Sequence, residues 1–297
     1  MTSSKPARLG IGIISAGKVG AVLGAALREA GHAVVGVHAV SEISQTRAEA
    51  LLPGVPILPI PTIVERSEVV LLAVPDDALG TLVSGLAETG AWQQGQIIIH
   101  TSGVHGANIL APAREHGAIG LAIHPAMTFT GLSVDLDRIK NTSFAVTGPA
   151  PFLPIAQALT VEMGAEPVIV AEADRGLYHA ALAHASNHLM TITGQTLQIL
   201  QSVGIKNPSH YLEPLLRASL ENALASGENA LTGPVARGDS HTVHTHREEL
   251  KNYAREETSE DISEAYLALA RATAQRAYQR KLLNEQQYQE IIQALTR

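Results

Sequence analysis

The chain has 297 residues, enough to bury a substantial core in one large domain or, as the length favours, in two. Its 21 Lys and Arg stand against 28 Asp and Glu, a formal charge of -7, so it lacks the basic surface that neutralises a phosphate backbone and nucleic acid is not an expected partner. Cysteine is absent, which excludes disulfides, thiolate nucleophiles and thiolate-bound metal.

The N-terminal MTSSKPAR leads straight into the apolar stretch 9–14 without the longer apolar region of a signal peptide. The next clear apolar run, 69–74, is far short of a membrane span. A soluble, cytoplasmic protein with no membrane partner is expected.

Residues 9–14 read as a short apolar strand, 19–30 as a helix of small and apolar residues, and 33–37 as a second strand after the turn at Gly31. That is one compact βαβ unit. Further strands are expected at 69–74, 96–100, 118–123, 143–146 and 167–170, with helices at 77–88, 107–116 and 152–163. Segment 53–61 carries four prolines, so it is a loop or edge region and not a central strand. After about Ala173 the strand signals stop. Helical periodicity then covers 175–203, 209–225, 242–254, 258–281 and 285–295, with Gly204 and Gly227 as stop signals. The expected architecture is an α/β Rossmann domain with a mostly parallel sheet over 1–171, followed by an all-helical substrate and dimerisation domain over 172–297.

Between the first strand and first helix lies Ser15-Ala16-Gly17-Lys18-Val19-Gly20, where a GxGxxG dinucleotide loop carries its glycines. Gly17 and Gly20 hold the second and third roles, close approach of backbone to a pyrophosphate and close packing of helix on strand. Ser15 replaces the first glycine. It keeps the turn if its φ is negative, and its hydroxyl can donate to phosphate. Lys18 adds positive charge beside a helix N-terminus that already favours anions.

The second strand leads into His38-Ala39-Val40-Ser41, where an NAD enzyme commonly sets an acid on the ribose. No acid stands there, which favours NADP over NAD with His38 or Ser41 on the 2′-phosphate; Glu42, if turned inward, opposes this. Val74-Pro75 ends one predicted strand and Thr101-Ser102 follows another, at the carboxyl ends where open α/β sheets bind ligands, and they complete the expected cofactor set. Asp76 reads as a helix cap.

Four ordered segments carry a family likeness: HTSGVHG (100–106), IHPAMTFTG (123–131), DRGLYHAALAHASNHL (174–189) and ALTGPVARGD (230–239). They resemble a Rossmann-like bacterial oxidoreductase family with a C-terminal domain of unknown function, one of the 6-phosphogluconate-dehydrogenase-like enzymes, and the likeness extends to about Leu250. The resemblance implies a nicotinamide cofactor and hydride transfer. Some members look like an alternative ketopantoate reductase, which reduces 2-dehydropantoate with NADPH. Wider relatives include prephenate dehydrogenases, with a similar His-Pro-Met segment, and hydroxyacid dehydrogenases, with a Lys and an Asn on the first long C-terminal helix. This chain departs from the pattern. It has no lysine between Ala173 and Val203, although Asn187 remains, and it lacks both the family's typical glycine at 15 and an Arg often found near 40.

Hydride transfer to a ketone requires a proton or hydrogen bond for the developing alkoxide. With the lysine missing, histidine is the natural replacement. His179 and Asn187 are eight residues apart and project from nearly one helix face with Ala183 between them, and His124 follows strand 118–123. Asn187 in a run of small apolar residues is costly to bury unless it faces a ligand. Arg237 can pair bidentately with a substrate carboxylate, Asn222 can orient substrate, and Asp239 caps a helix. His184 with His188, and His241 with His244 and His246, have spacings that zinc can use. HASNH lacks the Glu of HExxH and no closed ligand set is evident, so no metal is expected.

The sequence thus reads as an NAD(P)-dependent dehydrogenase or reductase of a small 2-keto or 2-hydroxy carboxylate, acting as a homodimer. The alternatives are prephenate-like oxidation and a non-catalytic dinucleotide or metabolite sensor.

Overall fold

The computed structural model describes residues 8–257 and 259–296. Outside them lie most of the leading segment read for a targeting signal and Thr258, the first residue of the helix expected at 258–281. The chain forms two compact units, one ending at Ala185 and the other beginning at Ser186.

In chain order the first unit contains β1 (Gly10–Ile14), α1 (Lys18–Glu29), β2 (Ala33–His38), α2 (Glu42–Leu51), α3 (Ile60–Arg66), β3 (Val69–Leu72) and α4 (Asp76–Glu88). Then come β4 (Ile97–His100), α5 (Ala111–Glu115), β5 (Ile119–Pro125), α6 (Val134–Ile139), β6 (Ser143–Thr147), α7 (Leu153–Glu162) and β7 (Glu166–Ile169). The strands form one sheet in the order β2-β1-β3-β4-β5-β6-β7. Every neighbouring pair is parallel except β5 and β6, which run antiparallel.

The central strands are continuous apolar runs because both faces are covered; all four residues of β3 are buried. One face packs Ile13, Leu71, Ile99, Ile123 and Phe144 against Val22 and Leu23 of α1 and Leu159 of α7. The other packs Val70, Leu72 and Ile98 against α3, α4 and α5 through Ile63, Leu79, Val83 and Ala113. Each expected strand is present, with β3 ending two residues early at Leu72.

Within the first unit three short helices, α2, α3 and α6, go beyond the sequence expectation. In α2 only Ala48 is buried, so it shows no apolar stripe. The proline-rich stretch divides in two. Ile57 bridges Val37 on the sheet's outermost strand, as an edge segment does. Pro61 then sits in the first turn of α3, where its missing N–H is no loss.

Between β5 and α6 the chain turns at Thr130–Gly131 around a fully buried carboxylate. Asp135 accepts from the Thr130 N–H at 2.7 Å, the Gly131 N–H at 2.8 Å, the Thr130 hydroxyl at 3.0 Å and Arg138 at 3.1 Å. Burial alone raises its pKa, but these hydrogen bonds together outweigh that and hold it below the usual carboxylate range.

Helix α8 (Arg175–Ser202) passes from the first unit into the second, which continues with α9 (Pro208–Ser226), α10 (Pro234–Arg237), α11 (Ser240–Glu257), α12 (Glu260–Gln279) and α13 (Glu285–Thr296). Its core lies among α10 to α13, where Val235, Val243, Ala270, Ala274, Ile291 and Leu295 pack together. Between Ser186 and Ser226, by contrast, Leu212 is the one buried residue. Among the described residues, no helix is long and apolar enough to cross a membrane.

Asp135→Ala removes a carboxylate that satisfies two backbone donors and an arginine, so unfolding in urea should become easier by about 2–3 kcal/mol at neutral pH. The folded pKa is depressed, so the carboxylate's contribution is complete above the unfolded value near pH 4 and is lost as pH falls through the folded value. The gap between wild type and variant should therefore close in acid.

Candidate functional site

The loop after β1 is built around an unusual backbone. Ser15 adopts φ +81°, the left-handed conformation that glycine enters freely, and not the negative φ under which a serine would keep the turn without strain. The Ala16 N–H donates to the His38 carbonyl at 2.9 Å, tying the strained residue to the end of β2. A Cβ on Gly20 would overlap the Ser15 carbonyl and stand 2.9 Å from the Ala73 Cβ, so its bare Cα sets how closely α1 lies on the loop and on the residue after β3.

Gly17 begins α1 with no side-chain cap, and the first turn holds no acid, which leaves its N–H groups available to an anion. Two cations flank this terminus. Lys18 is exposed, and Arg47 of α2 donates to the Ala16 carbonyl at 3.3 Å. Both lie against the Thr130–Gly131 turn: a Cβ on Gly131 would stand 2.5 Å from Arg47 Nε and 3.0 Å from Lys18 Cγ. Open donors, absent acids and two nearby cations fit a dinucleotide pyrophosphate. Sequence reasoning does not single out Arg47, since α2 has no periodic signal; the Ser41–Glu42 helix start was the available clue.

The remaining expected cofactor residues have identifiable local roles. Val19 lies in the first turn of α1 and His38 closes β2, where burial lowers its pKa. The Ser41 hydroxyl accepts the Ser44 N–H at 3.2 Å and so caps α2. Val74 and Pro75 follow β3; Pro75 occupies the N-cap of α4, and Asp76, expected as the cap, is its first helical residue. The Thr101 N–H donates to the Leu72 carbonyl at 3.2 Å. Ser102 is buried and accepts the His105 N–H at 3.2 Å, which commits its hydroxyl to the loop.

A second cluster gathers at the end of β5. His124 Nδ1 lies 2.9 Å from the Tyr178 hydroxyl, and its ring meets those of Tyr178 and His179 edge to face at 5.6 and 5.9 Å. The Thr101–Gly103 turn lies directly on both histidines: a Cβ on Gly103 would stand 2.5 Å from His179 Cδ2 and 2.9 Å from His124 Nε2.

This turn is held at both ends. The buried His100 donates from Nε2 to the Gly106 carbonyl at 2.9 Å and accepts the Ser102 N–H on Nδ1 at 3.2 Å, which fixes a neutral tautomer. Burial foremost lowers its pKa to about 4. Glu172 accepts the N–H groups of Ala107 and Asn108 at 2.8 and 3.1 Å.

Beneath the cluster lies Arg175, 1% exposed. Its Nε donates to the Thr147 hydroxyl at 2.8 Å, and its terminal nitrogens reach the carbonyls of Ser102, Ala122 and Ala145 at 3.3–3.4 Å. Burial lowers its pKa, but a guanidinium stays charged at neutral pH. Its Cζ is 5.8 Å from the Tyr178 ring centroid. Burial first, then Arg175 and His179, push His124 down to about 4 against the opposing effect of Asp76, so His124 is neutral at pH 7. Burial raises the Tyr178 pKa, with Arg175 opposing.

The structure therefore brings His124 and His179 together and adds Tyr178, Arg175 and His100, which the sequence reading leaves without a role. For Arg175 a signal existed: a cation at a helix N-terminus opposes the helix dipole and needs a tertiary reason.

Three expected substrate contacts belong to the second unit. Asn187 is exposed on α8, its carbonyl accepting the Thr191 hydroxyl at 3.2 Å. Asn222 is exposed on α9, and Arg237 is exposed at the end of α10. Asp239 caps α11 by accepting the Thr242 N–H at 3.1 Å. Among the described residues, no group of three His, Cys, Asp or Glu side chains is placed to hold a metal ion. Nδ1 of His244 lies 3.1 Å from Arg247, and that of His246 lies 3.0 Å from the Tyr266 hydroxyl.

The mostly parallel sheet and the glycine loop after its first strand define a Rossmann-like domain, followed by a helical C-terminal region. Residues 1–125 match the Rossmann-like domain, and residues 142–273 match the domain of unknown function DUF2520. No curated protein matches the chain in sequence.

Among solved structures, it is similar to the Bacteroides fragilis protein BF3122, at 18% identity over 90% of this chain and 98% of that one, with a TM-score of 0.74. It is also similar to the Thermotoga maritima protein TM1727, at 22% identity over 90% and 98% of the two chains, with a TM-score of 0.63. An imine reductase from Myxococcus stipitatus in complex with NADP+ shares 18% identity over 90% and 94%, with a TM-score of 0.65. At these identities the likeness is one of fold.

Replacing Ser15 by glycine should remove the left-handed strain. Thermal unfolding should shift upward by a few degrees, on the order of 1 kcal/mol.

Proposed function

We propose that this chain is an NAD(P)-dependent oxidoreductase that transfers hydride between nicotinamide and a small 2-keto or 2-hydroxy carboxylate. The observation that carries the reading is the presence, in one unit, of an uncapped helix N-terminus flanked by Lys18 and Arg47 and a neutral His124 at the carboxyl end of β5. Ligands of open α/β sheets bind beyond the carboxyl ends of the strands. The Myxococcus stipitatus imine reductases, in complexes with NADP+ and, as a variant, with NAD+, support a nicotinamide cofactor. The missing acid after β2 and the nearness of Arg47 favour NADP.

Bound at this loop, the reduced cofactor supplies a hydride. The N–H groups at the start of α1, with Lys18 and Arg47, would hold its phosphates. His124, uncharged, offers a hydrogen bond to the oxygen on which negative charge develops. His179 and the Thr101–Gly103 turn hold the imidazole in place.

By the motif resemblance, 2-dehydropantoate is the first substrate to test. A second reading, reduction of a C=N bond, is favoured by the imine reductases among the neighbours. NADPH consumption should be followed with 2-dehydropantoate, other 2-keto acids and cyclic imines, and NAD reduction with prephenate. A keto acid should turn over, and His124→Ala should lower kcat by about 100-fold or more while leaving the NADPH Kd unchanged. Tight cofactor binding with no turnover of any compound would point instead to a sensor. Turnover of imines or prephenate alone would move the substrate class.

The helical domain is further proposed to form a homodimer. On α9, Tyr211 and Leu215 lie on one side, and Leu220 and Leu224, about two and a half turns further on, lie on the opposite side; all four are exposed. Leu189 and Met190 of α8 are exposed as well. Apolar residues on two faces of a helix require cover on both, which a second copy supplies. Light scattering should give twice the chain mass, and Leu215→Glu combined with Leu220→Glu should give a folded monomer.

A further inference from the structure

We propose that Tyr178 is the proton source behind His124, with Arg175 as the fixed positive charge beside its ring. The inference rests on the hydride-transfer reading above and specifies how the developing charge is neutralised.

Three observations carry it. The Tyr178 hydroxyl lies 2.9 Å from His124 Nδ1, so donation by the hydroxyl leaves the imidazole proton on Nε2, the nitrogen facing Gly103. Arg175 lies under the Tyr178 ring at 5.8 Å, with its own donors spent on a hydroxyl and three carbonyls. Among the described residues no carboxylate lies within ion-pair distance of it; Glu172, further off, favours its charged form, and that charge in turn acts on Tyr178. Finally, α8 carries no lysine.

A simple imidazolium acid does not meet the requirement. Burial, Arg175 and His179 push the His124 pKa down to about 4, so the ring is uncharged at pH 7. The charged and titratable groups acting on it are Arg175 and His179 on α8 and Asp76 at the start of α4; the first two disfavour the cation and only Asp76 favours it. A neutral histidine gives up its Nε2 proton readily only if Nδ1 gains one in the same step.

The step balances as follows. Hydride adds to the substrate carbon, and the C=O π pair moves to oxygen. That oxygen takes the proton from Nε2, while Nδ1 takes the proton from the Tyr178 hydroxyl. The phenolate is held beside Arg175. The pair resets when solvent protonates Nε2 and Nδ1 returns its proton to the phenolate. Tyr178 acts through His124 and is thus a positioning and proton-supplying residue that does not itself contact substrate.

The test is Tyr178→Phe, with kcat measured as a function of pH on whichever substrate wild type turns over. Wild-type kcat should be nearly flat from about pH 6 to 9. The variant should lose about 10- to 100-fold at pH 7 and regain activity as pH falls toward the His124 pKa, because its donor is then the imidazolium. A uniform drop at every pH, or a change of less than about twofold, overturns the proposal.

A second measurement needs no turnover. Nitrogen-15 NMR of the wild-type His124 imidazole at pH 7 should find the Nε2–H tautomer, and Tyr178→Phe should lose that preference. A wild-type Nδ1–H tautomer or a charged ring overturns the relay whatever the enzyme assay gives. Conversely, absence of turnover with the expected tautomer present overturns the hydride-transfer reading and the relay's catalytic use together, and leaves the pairing itself intact.

Discussion

Arg175 is the constraint on which the rest of the first unit turns. Removing a guanidinium from water costs several kcal/mol, and setting it at a helix N-terminus adds repulsion from the helix dipole. Among the described residues no carboxylate bonds to it, and Glu172 offsets these costs only from a distance. The costs are met by charge-assisted hydrogen bonds from the guanidinium to four oxygens. The acceptors come from both members of the antiparallel pair and from the turn after β4. Since Ala122 lies opposite Thr147 in the β5–β6 ladder, one planar side chain can reach both strands. The start of α8 is therefore fixed against three strand ends, and Tyr178 and His179, one turn further on, are placed against His124 as a consequence.

The dinucleotide-type loop solves a different problem with a similar tactic. A serine at φ +81° persists only if its surroundings over-determine it. The Ala16 N–H is held by β2, the Ala16 carbonyl by Arg47, and the Ser15 carbonyl lies where only the bare Cα of Gly20 allows it. Glycine at 20 is thus part of what keeps serine at 15 in place. The loop's shape survives the loss of its first glycine because three neighbouring elements share the strain.

Strands were legible because a two-sided parallel sheet demands apolar runs, and each expected run became a strand. Helices that bury a broad face, such as α1 and α4, were legible for the same reason. Helices α2 and α6 were not: they bury one and two residues respectively, and periodicity has little to register. At the site, residue type pointed to His124 and His179 and the place of Arg175 at a helix start was a clue, whereas Tyr178 and His100 took their meaning from contact alone. A buried arginine facing carbonyls and a tautomer set by a phenol leave no spacing in the sequence. Arg47 reaches the glycine loop from a helix the pattern did not announce.

The missing lysine can now be put in electrostatic terms. An ammonium group supplies a positive charge and a proton from one atom, so giving up the proton also gives up the charge. In this chain the two functions are separated. Arg175 keeps its charge throughout, because guanidinium does not deprotonate under ordinary conditions. The proton resides on the uncharged pair His124 and Tyr178. Stabilisation of negative charge therefore continues after proton transfer, on the phenol oxygen instead of the substrate oxygen. The arrangement requires that the arginine keep its charge, which Glu172 favours from a distance, while the described oxygens bonded to its guanidinium belong to a hydroxyl and three peptide carbonyls.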